Sequence, residues 1–239
     1  MSIDTKIWTG PGRPAVFLDR DGTINEEVKY LGSPHQLRLI PGAAQAVARL
    51  NQAGIPVIVV TNQSGIARGY YSEDDVEAVH SYMDKLLADH GASVDAYYYC
   101  PHHPGAIVKK YLVDCECRKP RSGMLSAAAA QENVSLAHAY LVGDKRSDLK
   151  AAVNAGARGI LVRTGYGKEV EAELLREAEA TGAALVTNIV DDLSAAVDQI
   201  LDTLEQTQPQ GVKPPKFAAS FRHHRPEIGP HYPRSSGEV

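Results

Sequence analysis

"AVFLDRDGT", residues 15–23, is the stretch on which the fold turns. Ala15 to Leu18 are too few for a helix and show no in-and-out alternation, the pattern of a strand covered on both faces. The run stops at Asp19, and Asp21, Gly22 and Thr23 follow at once. Packing asks for no charge at the end of a buried strand. A pair of carboxylates there points to chemistry.

The same succession repeats downstream. Residues 41–54, "PGAAQAVARLNQAG", place apolar side chains at helical spacing and stop on glycine. Residues 56–62, "PVIVVTN", are strand-like, and Ser72 reads as the N-cap of a helix over 72–91 with acids in its first turn. Strands at 94–100, 139–144 and 159–164 precede helices at 122–133, 147–156 and 168–182. A last strand is expected at 183–187, "AALVT", before a helix over 189–206. Strands and helices alternating at this pitch predict an α/β, Rossmann-like three-layer sandwich with a mainly parallel sheet.

Length and composition set the bounds. A chain of 239 residues with 44% hydrophobic and 23% charged residues suits one soluble domain, placed at 15–206 after an extension over 1–14. From 207 to 239 the texture changes: six of the fourteen prolines, five Lys or Arg against two acids, and no apolar period. That composition predicts a disordered tail. A net charge of −4 gives no pull toward nucleic acid or anionic membrane. Neither a secretory leader nor a spanning segment is expected, and three cysteines crowded into residues 100–117 favour a reducing, cytoplasmic setting. With no heptad or uncommitted apolar helix, a monomer is expected.

In an open parallel sheet, ligands bind beyond the carboxyl ends of the strands. "DRDGT" (19–23) follows the first strand and "TNQSG" (61–65) the second. Arg118 and Lys119 follow the third, and "GDKRSD" (143–148) follows the fourth. Asp19, Asp21 and Asp144 together form an acidic nest that calls for a cation, and hard oxygen ligands beside a phosphate suit Mg²⁺. Asp19 is the candidate nucleophile, forming an aspartyl-phosphate, and Asp21 the candidate acid and base. Thr61 and Lys119 are suited to the phosphoryl oxygens, with backbone N–H groups of the "RDGT" turn helping. Asp148 is expected in the metal's outer shell or orienting Lys119.

"FLDRDGT", "VVTNQSG", "CRKP" and "LVGDKRSD" resemble the four signature segments of the haloacid dehalogenase superfamily of phosphatases, over roughly residues 15–167. No large insertion follows "DRDGT" or "TNQSG", so the resemblance implies a member without a bulky cap domain. In "CPHHPGAIVKKYLVDCECRKP" (100–120), Cys100, Cys115 and Cys117 with His102 or His103 supply four ligands of the kind tetrahedral Zn²⁺ prefers. The zinc-bearing subfamily carries a C-x-H…C-x-C loop here, which implies His102. Bound zinc is expected to be structural and to fix Arg118 and Lys119.

Two zinc-loop branches are known, acting on heptose bisphosphate and on histidinol phosphate. "VTNQSGIARGYY" and "GDKRSD" are similar to the heptose branch, which implies a bisphosphorylated sugar as substrate. By that resemblance Glu27, Val28, Lys29 and Tyr30, with Thr61, Asn62, Gln63 and Ser64, line the sugar pocket. Arg118, Lys119 and Lys145 hold phosphate or hydroxyl groups. An arginine fork suits a second phosphoryl group.

Overall fold

The computed structural model describes residues 12–181 and 188–207. Six parallel strands form one sheet: β1 (Val16–Leu18), β2 (Val57–Asn62), β3 (Ala96–Cys100), β4 (Tyr140–Gly143), β5 (Arg158–Val162) and β6 (Asn188–Val190), in the order β3-β2-β1-β4-β5-β6. Seven helices accompany them among the described residues: α1 (Ala43–Gln52), α2 (Ser64–Ala67), α3 (Glu73–Ala88), α4 (Gly123–Gln131), α5 (Arg146–Ala155), α6 (Gly167–Thr181) and α7 (Leu193–Thr207). This is the α/β sandwich that the sequence pattern requires.

Period-two geometry divides the core. Val16 and Leu18 of β1 join Val57, Val59 and Val142 under α1, α3 and α7. Phe17, Ile58, Val60 and Leu141 face the other way, onto Met124, Leu125 and Ala128 of α4 and Ala151 and Ala152 of α5. The central strand is thus sealed on both sides, so its polar continuation can emerge only at the end. Ser72 caps α3 as expected: its Oγ accepts from Asp75 N, and the Asp75 carboxylate accepts from Ser72 N.

Register aligns the strand ends. Leu18 pairs with Val59 and with Val142, so Asp19, Thr61 and Asp144 open onto one edge. Among the described residues, β1 and α1 are joined by loops, one 3₁₀ turn (Pro34–Gln36) and isolated bridges, with no folded insertion.

One helix boundary falls elsewhere than the sequence pattern placed it. The strand expected at 183–187 and the tail at 207–239 lie outside the described residues, save Thr207, the last residue of α7; the extension over 1–14 is described from Gly12. The sixth strand is Asn188–Val190, pairing with Ile160–Val162, where the pattern placed the start of the last helix. Asp192 sets the helix start at Leu193, its carboxylate accepting from Ala195 N at 2.9 Å. An Asx cap competes well with another helical turn.

Candidate active site and metal centre

Lys119 is the hub of the strand-end cluster. Its Nζ lies 2.8 Å from Asp19 Oδ1, 2.7 Å from Asp148 Oδ1 and 2.7 Å from Val60 O. Asp19 Oδ1 and Val60 O accept hydrogen bonds from it, while Asp148 Oδ1 is held to it as an ion pair and has no hydrogen bond of its own. Burial pulls the Lys119 pKa down, but Asp148 and Asp19 outweigh it and hold the ammonium above the usual lysine value. Asp148 does two things at once: Oδ1 pairs with Lys119 while Oδ2 accepts from Lys145 N at 3.0 Å, capping α5. Of the two roles the sequence left open for Asp148, orienting Lys119 is the one these contacts display.

Asn62 fixes the same lysine from behind. Its Nδ2 donates to Lys119 O at 3.0 Å and its Oδ1 accepts from Lys119 N at 3.1 Å. Both ends of the amide are committed to the protein, so Asn62 shapes the site through Lys119. Gln63 is likewise engaged, donating to Asp21 Oδ2 and Thr61 Oγ1 and accepting from Tyr71 Oη. Thr61 is buried; its Oγ1 accepts from Gln63, which leaves the hydroxyl proton free to donate. Ser64 opens the short α2.

Asp144 sits where no side chain but its own fits. A Cβ on Gly22 (φ +85°) would come 2.2 Å from Asp144 Oδ2, and one on Gly165 (φ +55°) 2.1 Å. Two left-handed glycines therefore make room for one carboxylate. Asp144 Oδ2 accepts from Tyr166 N at 2.9 Å, while Oδ1 is buried with no hydrogen bond and Lys145 Nζ stands 3.5 Å away. Burial, then the charge of Asp19, push the Asp144 carboxyl up to about 8.

Asp19, Asp144 and Asp148 each bring an oxygen within 4.8 Å of the others. An orphaned oxygen in a crowd of buried carboxylates is what a divalent cation relieves, so these residues fit Mg²⁺. The Asp21 carboxylate is not in this trio. Arg20 Nε and Nη2 grip it at 3.2 and 2.9 Å, and Asn25 Nδ2 and Gln63 Nε2 add two more donors. Burial raises its pKa, but Arg20 and Asn25 prevail and hold it below the ordinary value. Asp21, expected beside Asp19 and Asp144 at the cation, is spent on these donors, and the third carboxylate that gathers with Asp19 and Asp144 is Asp148, expected farther out. The amides of Gly22 and Thr23 are also committed, donating to Asn25 O and Arg20 O within the turn.

Of the expected sugar-pocket segment, Glu27 and Lys29 are tied into the protein. Glu27 Oε2 accepts from Lys145 Nζ at 2.7 Å and Oε1 from Lys29 N at 2.6 Å. Lys29 holds φ +68°, Val28 is exposed, and Tyr30 meets Tyr70 edge-on at 4.6 Å between ring centroids.

The three thiols are free and gather with one imidazole. Cys117 Sγ lies 3.2 Å from Cys100 Sγ, 3.1 Å from Cys115 Sγ and 3.3 Å from His102 Nδ1. A tetrahedral Zn–S site spaces its sulfurs by roughly 3.8 Å, from bonds of about 2.3 Å. The knot is a little tighter than that and has the right members. His102, not His103, is the imidazole in it. Hydrogen bonding from Cys117 brings the Cys100 thiol down to about 6, while burial raises Cys115 and the bond to Cys100 raises Cys117. Arg118 follows, its Nη1 donating to His102 O at 3.1 Å.

The sequence reading passed over Arg20, Asn25 and the run Thr164–Tyr166. Thr164 Oγ1 donates to Gly22 O at 2.6 Å, and Gly165 and Tyr166 frame Asp144. The strand-end rule, carried on to β5, reaches all three. Arg20 carried a signal as well, a cation at the end of a buried strand, and it is fully buried.

Comparison with known proteins agrees with this geometry. Residues 16–79 match the family model described as haloacid dehalogenase-like hydrolase, and residues 116–196 match one described as HAD-hydrolase-like. The chain is 47% identical over 192 residues to the D-glycero-D-manno-heptose-1,7-bisphosphate 7-phosphatase of Thermosynechococcus vestitus, covering 79% of this chain and 95% of that one. It is 42% identical over 186 residues to D-glycero-beta-D-manno-heptose-1,7-bisphosphate 7-phosphatase of Escherichia coli, covering 77% and 93%. The crystal structure of D,D-heptose 1,7-bisphosphate phosphatase from B. bronchiseptica, complexed with magnesium and phosphate, superposes with a TM-score of 0.69 at 38% identity, over 80% of this chain and 99% of that one.

Proposed function

Because the chain belongs to the haloacid dehalogenase-like hydrolases, we propose that it hydrolyses the 7-phosphate of D-glycero-D-manno-heptose 1,7-bisphosphate. The observation that carries this reading is the buried Asp19–Lys119–Asp148 array beside the unsatisfied Asp144 oxygen, on a chain so similar to enzymes bearing that name.

Asp19 supplies the nucleophile. Lys119 occupies its Oδ1, so Oδ2 forms the new P–O bond as the bond to the sugar oxygen breaks. The leaving alkoxide takes a proton from Asp21. Held as a carboxylate by Arg20 and Asn25, Asp21 acquires that proton once the phosphate's negative charge arrives beside it. Water then attacks phosphorus, Asp21 takes its proton, and the Asp19–phosphate bond breaks to free the enzyme. Thr61 and Lys119 donate to the phosphoryl oxygens throughout. Asp19 and Asp144, with Asp148 behind them, are the residues that would hold Mg²⁺; Asp21 adds to the same negative edge. The ion, when bound, neutralises the phosphate and offsets the carboxylates.

Glu27 to Tyr30 and Thr61 to Ser64 line the sugar side, Asn62 and Gln63 by way of their neighbours. Arg118 and Lys145 take the distal phosphoryl group or sugar hydroxyls. Cys100, His102, Cys115 and Cys117 hold Zn²⁺, which fixes the loop carrying Arg118 and Lys119. A phosphosugar is the partner, with no nucleic acid or membrane, and the protein works as a monomer in a reducing cytoplasm. Among the described residues no helix is long and apolar enough to cross a membrane.

The test is phosphate release from the bisphosphate with Mg²⁺ present. The parent should turn over and Asp19→Asn, folded and zinc-loaded, should not. Equal rates in the two proteins would sink the mechanism, and a parent inactive on the bisphosphate would sink the substrate.

A further inference from the structure

Arg68 ends α2, and the zinc loop lies directly on it. Ile107 N and Val108 N both donate to Ala67 O, at 2.8 and 3.0 Å. That main-chain contact brings His103 against Arg68, with His103 Nε2 3.3 Å from Arg68 Nη2. The other ring nitrogen decides what this approach means. Gly105 N donates to His103 Nδ1 at 2.9 Å, so Nδ1 is the acceptor and the ring proton of the neutral form sits on Nε2. Nε2–H therefore faces an arginine N–H. Two donors 3.3 Å apart do not bond each other; they are arranged to share an acceptor.

Three further observations call for a negative one. Arg68 Nε is buried with no hydrogen-bond partner. Among the described residues, no carboxylate pairs with either Arg68 or Arg118, although eight other Lys or Arg side chains have such partners. Arg118 Nη1, donating to His102 O at 3.1 Å, brings a second guanidinium to the stretch that carries His103. Arg118 belongs to the same neighbourhood and is chained to Lys119, whose Nζ touches the nucleophile.

We infer that Arg68 and His103, with Arg118, form an anion subsite that binds the phosphoryl group not being hydrolysed. One phosphate oxygen accepts from both Nε2–H and the Arg68 guanidinium. The inference rests on the bisphosphate reading and adds to it two residues that set specificity. They touch the distal phosphate and leave the reacting bond to Asp19 and Asp21.

The experiment compares heptose 1,7-bisphosphate with heptose 7-phosphate in the zinc- and magnesium-loaded protein. In Arg68→Met and His103→Leu, the ratio of kcat/KM for bisphosphate over monophosphate should fall on the order of 10- to 100-fold, mainly through KM of the bisphosphate. An unchanged ratio overturns the subsite. A parent that ignores the bisphosphate tells against the functional reading instead. The subsite is then judged without variants, by titrating inorganic phosphate into the parent and following the His103 Nε2 nitrogen by NMR. Movement of that signal supports the subsite, and a signal that stays still to saturation overturns it.

Discussion

Replacing Lys119 by methionine removes one positive charge and three donors from a place water hardly reaches. The side chain is 1% exposed, and its Nζ serves Asp19, Asp148 and the Val60 carbonyl at 2.7–2.8 Å. Methionine keeps the shape and leaves those acceptors stranded. Breaking a buried pair from one side costs about 3–5 kcal/mol. The loss should depend on pH. Burial already raises the Asp148 carboxyl and Lys119 draws it back, so without Lys119 it rises further. A carboxyl whose folded pKa lies above its unfolded value is penalised progressively as pH climbs past the unfolded value. The gap between variant and parent therefore widens from pH 5 to pH 8. Urea unfolding at both pH values, without added magnesium, measures it, and adding magnesium should recover part of the loss. A gap below about 1 kcal/mol at pH 8, or one that shrinks on going from pH 5 to 8, refutes the account of Lys119 as the charge that holds this edge together.

Three other outcomes follow from described contacts. His80 is buried with its pKa well below the ordinary value, through burial and then Arg20, so the unfolded chain alone takes up its proton below about pH 6.5. Stability should thus fall on acidification from pH 7.5 to 5.5 by about 1 kcal/mol more in the parent than in His80→Gln, measured by urea unfolding. Gly165→Ala drives a methyl to 2.1 Å from Asp144 Oδ2 and should lower kcat on the order of 100-fold, with zinc content unchanged by metal analysis. Stripping zinc with a chelator should lower the melting temperature and turnover together, while activity in whatever stays folded still requires magnesium; full turnover in zinc-free protein contradicts that.

Much of this site could be read from the chain because parallel strands carry their chemistry at their ends. Asp19, Thr61 and Asp144 each sit within two residues of the end of a recognisable apolar run, Lys119 closes the loop that leaves the third strand, and register does the rest. The thiol–imidazole cluster was legible for a different reason: three cysteines in one loop have few uses other than holding a metal. What escaped depends on long-range geometry. Nothing local says that the Asn62 amide is spent on a backbone 57 residues away, or that Arg20 folds back onto its neighbour Asp21. The early start expected for the last helix has a local cause, since the strand Asn188–Val190 is too short to outweigh the helical periodicity running through it. The Asp192 cap decides that boundary.

The sheet order leaves β3 at a margin, bonded along one side only, to β2. Edge strands are among the first parts of a domain to breathe. Yet the cation that pairs with Asp19 hangs from the loop that leaves this strand. In an unclamped chain, each local opening of β3 would carry Lys119 off Asp19 without any global unfolding. The thiol knot begins at Cys100, the last residue of β3, so the metal it suits would govern how often that margin opens. Amide exchange along Ala96–Cys100 and catalytic lifetime should then rise and fall with the same ion.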